Sequence, residues 1–242
     1  MMAKHVIKKY RIYTNGRDAS GDFNRVDLKA DVDEMESTTV NSSGDKEFMP
    51  GLNAVRFDGE VFASHGTGEV EDAVHALLAA GARVMTVYPS EDAGGAGYGF
   101  EAEQLSISPA MKIGDMSRIT IKATKSGGAL VRVTSMEGKA VKTATGNGTA
   151  RQLGAVSAAQ TLYSFLQVLS ISAGASITVT VKSDDAQAFS TPTTQITHTA
   201  FNAVGSEVKS KAGAITDTWY RVDWTITGGT PSVTFDVGVG II

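Results

Sequence analysis

The sequence predicts a mainly β protein with two antiparallel domains and one flanking helix. Three observations carry this expectation. Short runs rich in β-branched and aromatic residues recur through the chain, separated by Gly, Asn, Asp and Ser. Several of these runs alternate polar and apolar residues with a period of two, as a half-buried strand does. One segment alone shows a strong helical period.

Taken in order, the first half offers strands at 6–13, 25–32, 54–63, 83–88, 101–108 and 117–124, with turns at Asn15-Gly16 and at Ser126-Gly127-Gly128. The helix spans 69–80. Val70, Ala73, Val74, Leu77 and Leu78 share one of its faces, Glu69, Glu71 and Asp72 occupy the dipole-favoured first turn, and Gly81 closes it. In 27–33, Asp27, Lys29, Asp31 and Asp33 form a wet, largely acidic face, and Leu28, Ala30 and Val32 form the packed one. The small, polar stretch 140–150 marks a domain boundary, giving domains 1–140 and 141–242. The second domain offers strands at 162–171, 176–182, 195–201, 207–211, 219–227 and 232–239, at the spacing of a sandwich or jelly roll. In 219–227, Tyr220, Val222, Trp224 and Ile226 share the core face, and Trp219 lies on the other.

Composition narrows the chemistry. The chain has 242 residues, 20% of them charged, and a net charge of −4. No basic patch suited to replacing phosphate counterions is visible. There is no cysteine, so disulfides, thiolate nucleophiles and Cys-based zinc sites are excluded. No apolar run reaches the ~18 residues of a membrane span, and no apolar signal core follows the Lys-rich start, so no membrane partner is expected and a cytoplasmic product is.

The catalytic templates all fail. His65 and His75 lie outside the i, i+4 spacing of a helical zinc pair, and His5 and His198 have no ligand cluster nearby. No Gly-x-Ser-x-Gly elbow is present. The run Gly94-Gly95-Ala96-Gly97-Tyr98-Gly99 leads into strand residues rather than a helix, so it reads as a hairpin tip and not a phosphate cradle. Asp31, Asp33, Glu34 and Glu36 lack the spacing of a calcium loop. No catalytic residue, metal site or cofactor is expected, and the chain is read as a non-enzyme.

The most unusual segment is 24–63. A strand at 25–32 and its return at 54–63 are separated by a polar excursion, the long loop 37–53, where hairpins normally close in about two to five residues. So long a polar loop has no core of its own; it either orders against a partner or lies free on the surface. Phe48, Met49, Pro50 and Leu52 supply an apolar anchor at its far end.

Here the sequence resembles the tail-tube (major tail) proteins of long-tailed bacteriophages. The residues concerned are Val26-Asp27-Leu28, Val32-Asp33-Glu34, Thr38-Thr39 and the run Gly44-Asp45-Lys46-Glu47-Phe48-Met49-Pro50-Gly51-Leu52. The likeness covers roughly 5–135. It implies a β-sandwich flanked by a helix, with sheets joined into rings, hexameric or trimeric, that stack into a tube around passing DNA. On that implication Thr38, Thr39, Lys46, Glu47, Phe48, Met49, Pro50 and Leu52 form the inter-subunit loop. Asp27, Asp31 and Asp33 face the lumen, and the partners are further copies and other tail proteins of the virion. The C-terminal half resembles jelly-roll-like domains appended to phage structural proteins, through 158–163, 181–185 and 215–222. Two other readings remain open: a head-surface decoration protein, and a carbohydrate-binding virion module using Trp219 as a stacking platform.

Overall fold

The computed structural model describes residues 10–36, 46, 48–64, 83–90, 92–102, 104–126 and 130–242. Among these the regular elements are all strands: β1 (Arg11–Thr14), β2 (Arg17–Asp18), β3 (Phe23–Glu36), β4 (Phe48–Phe62), β5 (Arg83–Tyr88), β6 (Ala96–Ala102), β7 (Gln104–Ala110), β8 (Arg118–Ser126), β9 (Val131–Lys142), β10 (Gly146–Asn147), β11 (Arg151–Gln152), β12 (Thr161–Ile171), β13 (Ser176–Asp184), β14 (Thr193–Thr197), β15 (Gly205–Ala212), β16 (Trp219–Thr227) and β17 (Val233–Ile241). The described pairings are antiparallel. The helix expected at 69–80 lies outside the described residues.

Two compact units emerge. The first comprises Met1–Gly21, Arg83–Gly99 and Val131–Ile242; the second comprises Asp22–Ala82 and Phe100–Leu130. The expected cut at 140/141 falls inside β9, which pairs with β17 along one side and β6 along the other. The sequence reading passed over β9 because Glu137, Gly138 and Lys139 interrupt its alternation. Two register shifts against β17 absorb that interruption.

The first unit is a sandwich. An eight-stranded sheet runs β15-β12-β17-β9-β6-β5-β1-β2, and β10 and β11, each paired with β16, complete a second sheet with β13 and β14. Between the sheets lies a core that includes Leu162, Leu166, Val179, Val181, Val222, Trp224, Phe235 and Val237. Period-two burial of Tyr220, Val222, Trp224 and Ile226 matches the expected core face of β16. The large sheet also folds back on itself. The Gln167 side chain on β12 accepts from Gly16 N at 2.8 Å and donates to Val84 O at 2.9 Å, tying β12 to the β1–β2 turn and to β5. A side chain at Gly16 would strike the backbone of Gly205.

The glycine run also departs from expectation. Gly97 and Gly99 sit within β6 rather than at a hairpin tip. A Cβ at Gly97 would come within 2.3 Å of Tyr88, and one at Gly99 within 2.7 Å of Phe165. These glycines let large rings lie flat on the strand.

The second unit is a four-stranded sheet of order β3-β4-β8-β7. Its apolar face holds Val61, Ile119 and Ile121, with Phe23, Leu105 and Ile107 packed against them. Phe57 adds an edge-to-face contact with Phe23 at 5.7 Å.

Candidate assembly interface

The second unit carries the features the sequence singled out. Registers on the two sides of β4 end at different places. Against β8, β4 pairs from Phe62↔Arg118 to Ala54↔Ser126. Against β3 the ladder continues to Val32↔Asn53 and on to Glu34↔Pro50, Met35↔Met49 and Glu36↔Phe48. Among the described residues, 48–53 are therefore paired on one side only. There β3 and β4 continue as a described antiparallel pair.

This corrects the 48–53 end of the expected loop 37–53. Phe48, Met49, Pro50 and Leu52 belong to β4, and β3 runs on to Glu36. The physical reason is backbone pairing: a continued ladder satisfies N–H and C=O groups that a loop would leave to water. Pro50 donates no hydrogen bond and stands opposite Glu34, at the register shift, where proline is tolerated. The register shifts between Val32 and Glu34, so strict alternation ends there and Asp33 falls in the irregular step. Lys46 is exposed. Thr38, Thr39 and Glu47 lie outside the described residues.

The polar face of the sheet is mixed in charge. Asp27 stands directly opposite Asp58, and Lys29 directly opposite Arg56, so like charges occupy neighbouring rungs. The acidic rung is balanced from both sides: Arg25 reaches Asp27 at 2.5 Å, and Lys122 lies 3.9 Å from Asp58. Arg118 pairs with Glu60 at 3.1 Å. The hydrogen bond from Asn24, followed by that cation, holds the Glu60 carboxyl below its usual range. A groove of about 310 Å³ runs over this face between Arg25, Lys29, Asp58 and Lys122. The expected acids Asp27 and Asp31 are thus interleaved with Lys29 and Arg56 rather than forming a single-sign wall.

Sequence reasoning missed the opposite end of the sheet. Met111 (68% exposed), Ile113 (104%) and Met116 (61%) project from the β7–β8 connection, and Phe62 (39%) ends β4 beside them. The available signal was three large apolar residues in the short run Met111-Lys112-Ile113-Gly114-Asp115-Met116, where a turn is ordinarily polar.

In the first unit, Trp219 is half-buried at the start of β16, between Gln152 of β11 and Asp184 of β13. Two networks of buried polar groups lie in the same unit. Asp236 is fully buried. It accepts from Arg11 at 3.3 Å, Tyr88 at 2.9 Å and Ser135 at 3.2 Å. Burial pushes its carboxyl up to about 7, against the opposing pull of Arg11. The second network is Ser164, His198 and Glu207. Glu207 accepts from His198 Nδ1 at 2.9 Å, which leaves Nε2 to accept from Ser164 Oγ at 2.8 Å. This is the connectivity of a hydrolytic triad, but Ser164 is wholly buried in β12 and no substrate reaches it. The set instead clasps the end of β14 to β12 and β15 across the sandwich. Burial holds the His198 imidazole below its usual range. His5, His65 and His75 lie outside the described residues, and among those described no cluster of metal-ligating side chains occurs.

No protein-family model matches the chain, and no curated protein matches it. Solved structures do show similarity. A chain from the virion of a native gene transfer agent particle is similar over 53% of this chain and 98% of its own length, at 13% identity and a TM-score of 0.42. The Dit protein (gp 19.1) of phage SPP1, described as a paradigm of hub adsorption apparatus in phages infecting Gram-positive hosts, is similar over 97% of this chain and 100% of its own, at 12% identity and a TM-score of 0.34. A chain of infectious bursal disease virus, Gx strain, is similar over 99% and 58%, at 11% identity and a TM-score of 0.30. All three lie below 25% identity and below a TM-score of 0.5.

Proposed function

We propose that the chain is a virion structural protein of a long-tailed bacteriophage, a tail-tube subunit that joins copies of itself into rings, hexameric in preference to trimeric, which stack around the path of the DNA. The observation that carries this reading is the β3–β4 ladder, which among the described residues continues from Val32↔Asn53 to Glu36↔Phe48, past the last described β4–β8 pair, Ala54↔Ser126. A two-stranded ladder is marginal alone and gains its order from a neighbouring surface. The resemblance of 24–52 to tail-tube proteins supports the same assignment. So do β3 and β7, which among the described residues stand at the edges of the sheet and would offer ladders to adjacent copies. The mixed-charge face fits a wall that neither holds nor strongly repels phosphate.

The test is microscopy of the purified full chain. Rings or tubes should form, and replacing 38–47 with an Asn-Gly turn should leave rings that no longer stack. A chain that stays monomeric at every concentration, or a shortened variant that stacks like wild type, overturns the reading. Labelling of intact particles separates the tail shaft from the head, where a decoration protein would sit. Glycan binding abolished by Trp219→Ala would favour the carbohydrate-binding alternative.

A further inference from the structure

The sandwich of the first unit closes one of its sides with side chains rather than with a strand ladder. Among the described residues, β15 ends the eight-stranded sheet and β14 ends the second sheet, and the two strands lie against each other. In β15, Glu207, Lys209 and Lys211 stand two apart on one face, opposite Leu166, Ser164 and Leu162 of β12. Leu162 and Leu166 belong to the inter-sheet core, so the edge strand turns three charges inward. Charges placed in this way blunt an edge against further strand pairing.

Each charge finds its partner on β14 or just after it. Lys211 Nζ donates to Gln195 Oε1 at 2.7 Å, and Lys209 Nζ donates to Thr197 O at 2.9 Å. The Glu207 carboxylate accepts from Thr199 N at 2.9 Å and from Thr199 Oγ1 at 3.0 Å, as well as from His198 Nδ1. The lysine and Thr199 bonds are exposed, where such pairs contribute little each. His198 is the buried member. Its side chain is wholly enclosed, and its Nε2 meets Ser164, the polar member of the inward row Leu162, Ser164 and Leu166.

This arrangement suits only a neutral ring. With Nδ1 donating to Glu207, Nε2 must accept; a proton there makes it a donor, and the Ser164 hydroxyl loses its acceptor. The charged ring would also stand out of reach of water. Of the charges acting on it, Glu207 favours the protonated ring and Lys209 opposes it, and burial outweighs both. β12 carries no charged residue, and β13 turns the aliphatic Ile177, Val179 and Val181 into the core. On its other side the segment is held by β13, through the pairs from Ser183↔Thr193 to Thr180↔Thr197, through His198 N donating to Val179 O, and through the Ile177–Phe201 bridge.

We infer that the edge segment 193–204 is an acid-released latch, fastened to β12 and β15 through the neutral His198 ring and freed by protonation of that ring while the rest of the sandwich stays folded. The latch is closed above the ordinary imidazole value of 6.5 and loosens as pH falls below it, because the closed form resists the proton that the open form accepts. Opening exposes Ile196, which is buried, and Phe201, which packs against the core.

The test is hydrogen exchange of the full chain, read by mass spectrometry from pH 7.5 to pH 5.0 and corrected for the intrinsic pH dependence of exchange. Peptides within 193–204 should lose protection roughly tenfold below pH 6.5, while peptides from β16 and β17 keep theirs. In His198→Gln the segment should be equally protected at both ends of the range. The triple variant His5→Asn, His65→Asn, His75→Asn leaves His198 as the sole imidazole and should show the wild-type fall; it and wild type decide the matter if His198→Gln does not fold. Unchanged protection of 193–204 in wild type overturns the inference. So does a fall shared equally by β16 and β17, a fall that survives in His198→Gln, or one that vanishes in the triple variant.

Discussion

In the unit that contains β12 and β17, strands are covered on both sides. Leu162, Leu166 and Val168 face the inter-sheet core, while Phe165 and Gln167 on the same strand are buried on its other face. In the unit that contains β3 and β4, only one face packs, and strand β3 leaves Val26 and Leu28 half-buried and Ala30 exposed. The first unit can afford fully buried Asp236 and His198 because neighbouring strands supply their hydrogen bonds. The second keeps the described charges of its sheet face at the surface and exposes Met111, Ile113 and Met116. The difference teaches where each unit keeps its polar groups: the first inside, held by hydrogen bonds, the second at the surface in ion pairs.

The most forceful way to break this comparison is to remove a core ring. Phe235→Ala takes a fully buried side chain from the sandwich, where it meets Trp224 edge-to-face at 5.5 Å. It should cost about 3–5 kcal/mol in urea denaturation of the first unit, while hydrogen exchange in β4 and β8 stays near wild type. Equal loss of protection in β4 and β8 would show that the two units unfold as one.

Next in size is the buried ion pair. Arg11→Met strands Asp236 without its cation and should cost roughly 3 kcal/mol or more at pH 8, but less at pH 5. The sign follows from the raised carboxyl. With the folded value near 7 and the ordinary value 3.8, the stabilising contribution is full below about 4 and is lost as pH rises through about 7. Asp236→Asn should flatten that fall when unfolding free energy is measured from pH 4 to 8.

His198 gives a smaller effect of opposite sign. Its imidazole is held below the ordinary value of 6.5, so its contribution is present above that pH and is lost as pH falls below it. His198→Gln should cost about 1–3 kcal/mol at pH 7.5 and should remove the acid-side decline. An unchanged decline would assign it to other groups.

The smallest effect sharpens the contrast. Arg25 pairs with Asp27 at the surface, with its side chain 74% exposed. Arg25→Ala should shift stability by no more than about 0.5 kcal/mol, measured as a thermal midpoint. A larger loss in the assembled form alone would place this face at a contact between copies.

Much of the strand content was legible in local pattern. The span of β16 and its buried face matched the alternation of Tyr220, Val222, Trp224 and Ile226, because a strand buried on one side writes its environment into every second residue. The continued β3–β4 ladder was only half legible. Phe48 to Leu52 read as loop because Pro50 and Gly51 are poor strand formers, and the register with Glu34 to Glu36 that makes them strand is a non-local pairing. The apolar tip carried a signal, three large apolar residues around Gly114, but its meaning depends on exposure, which a sequence does not state. The Ser164–His198–Glu207 clasp was invisible because its members come from β12, β15 and the residue after β14, far apart in sequence.

The sequence by itself determined that this chain is built of antiparallel strands, where most of them lie, and that 24–63 is its unusual region, since periodicity and turn chemistry act within a few residues. Tertiary structure alone decided that the chain interleaves two units rather than dividing once, that β9 joins early and late strands in one sheet, and that the continued β3–β4 ladder and the apolar tip occupy opposite ends of a single strand. Those facts depend on which distant segments share backbone hydrogen bonds, and many partners satisfy a strand's edge equally well until packing selects one.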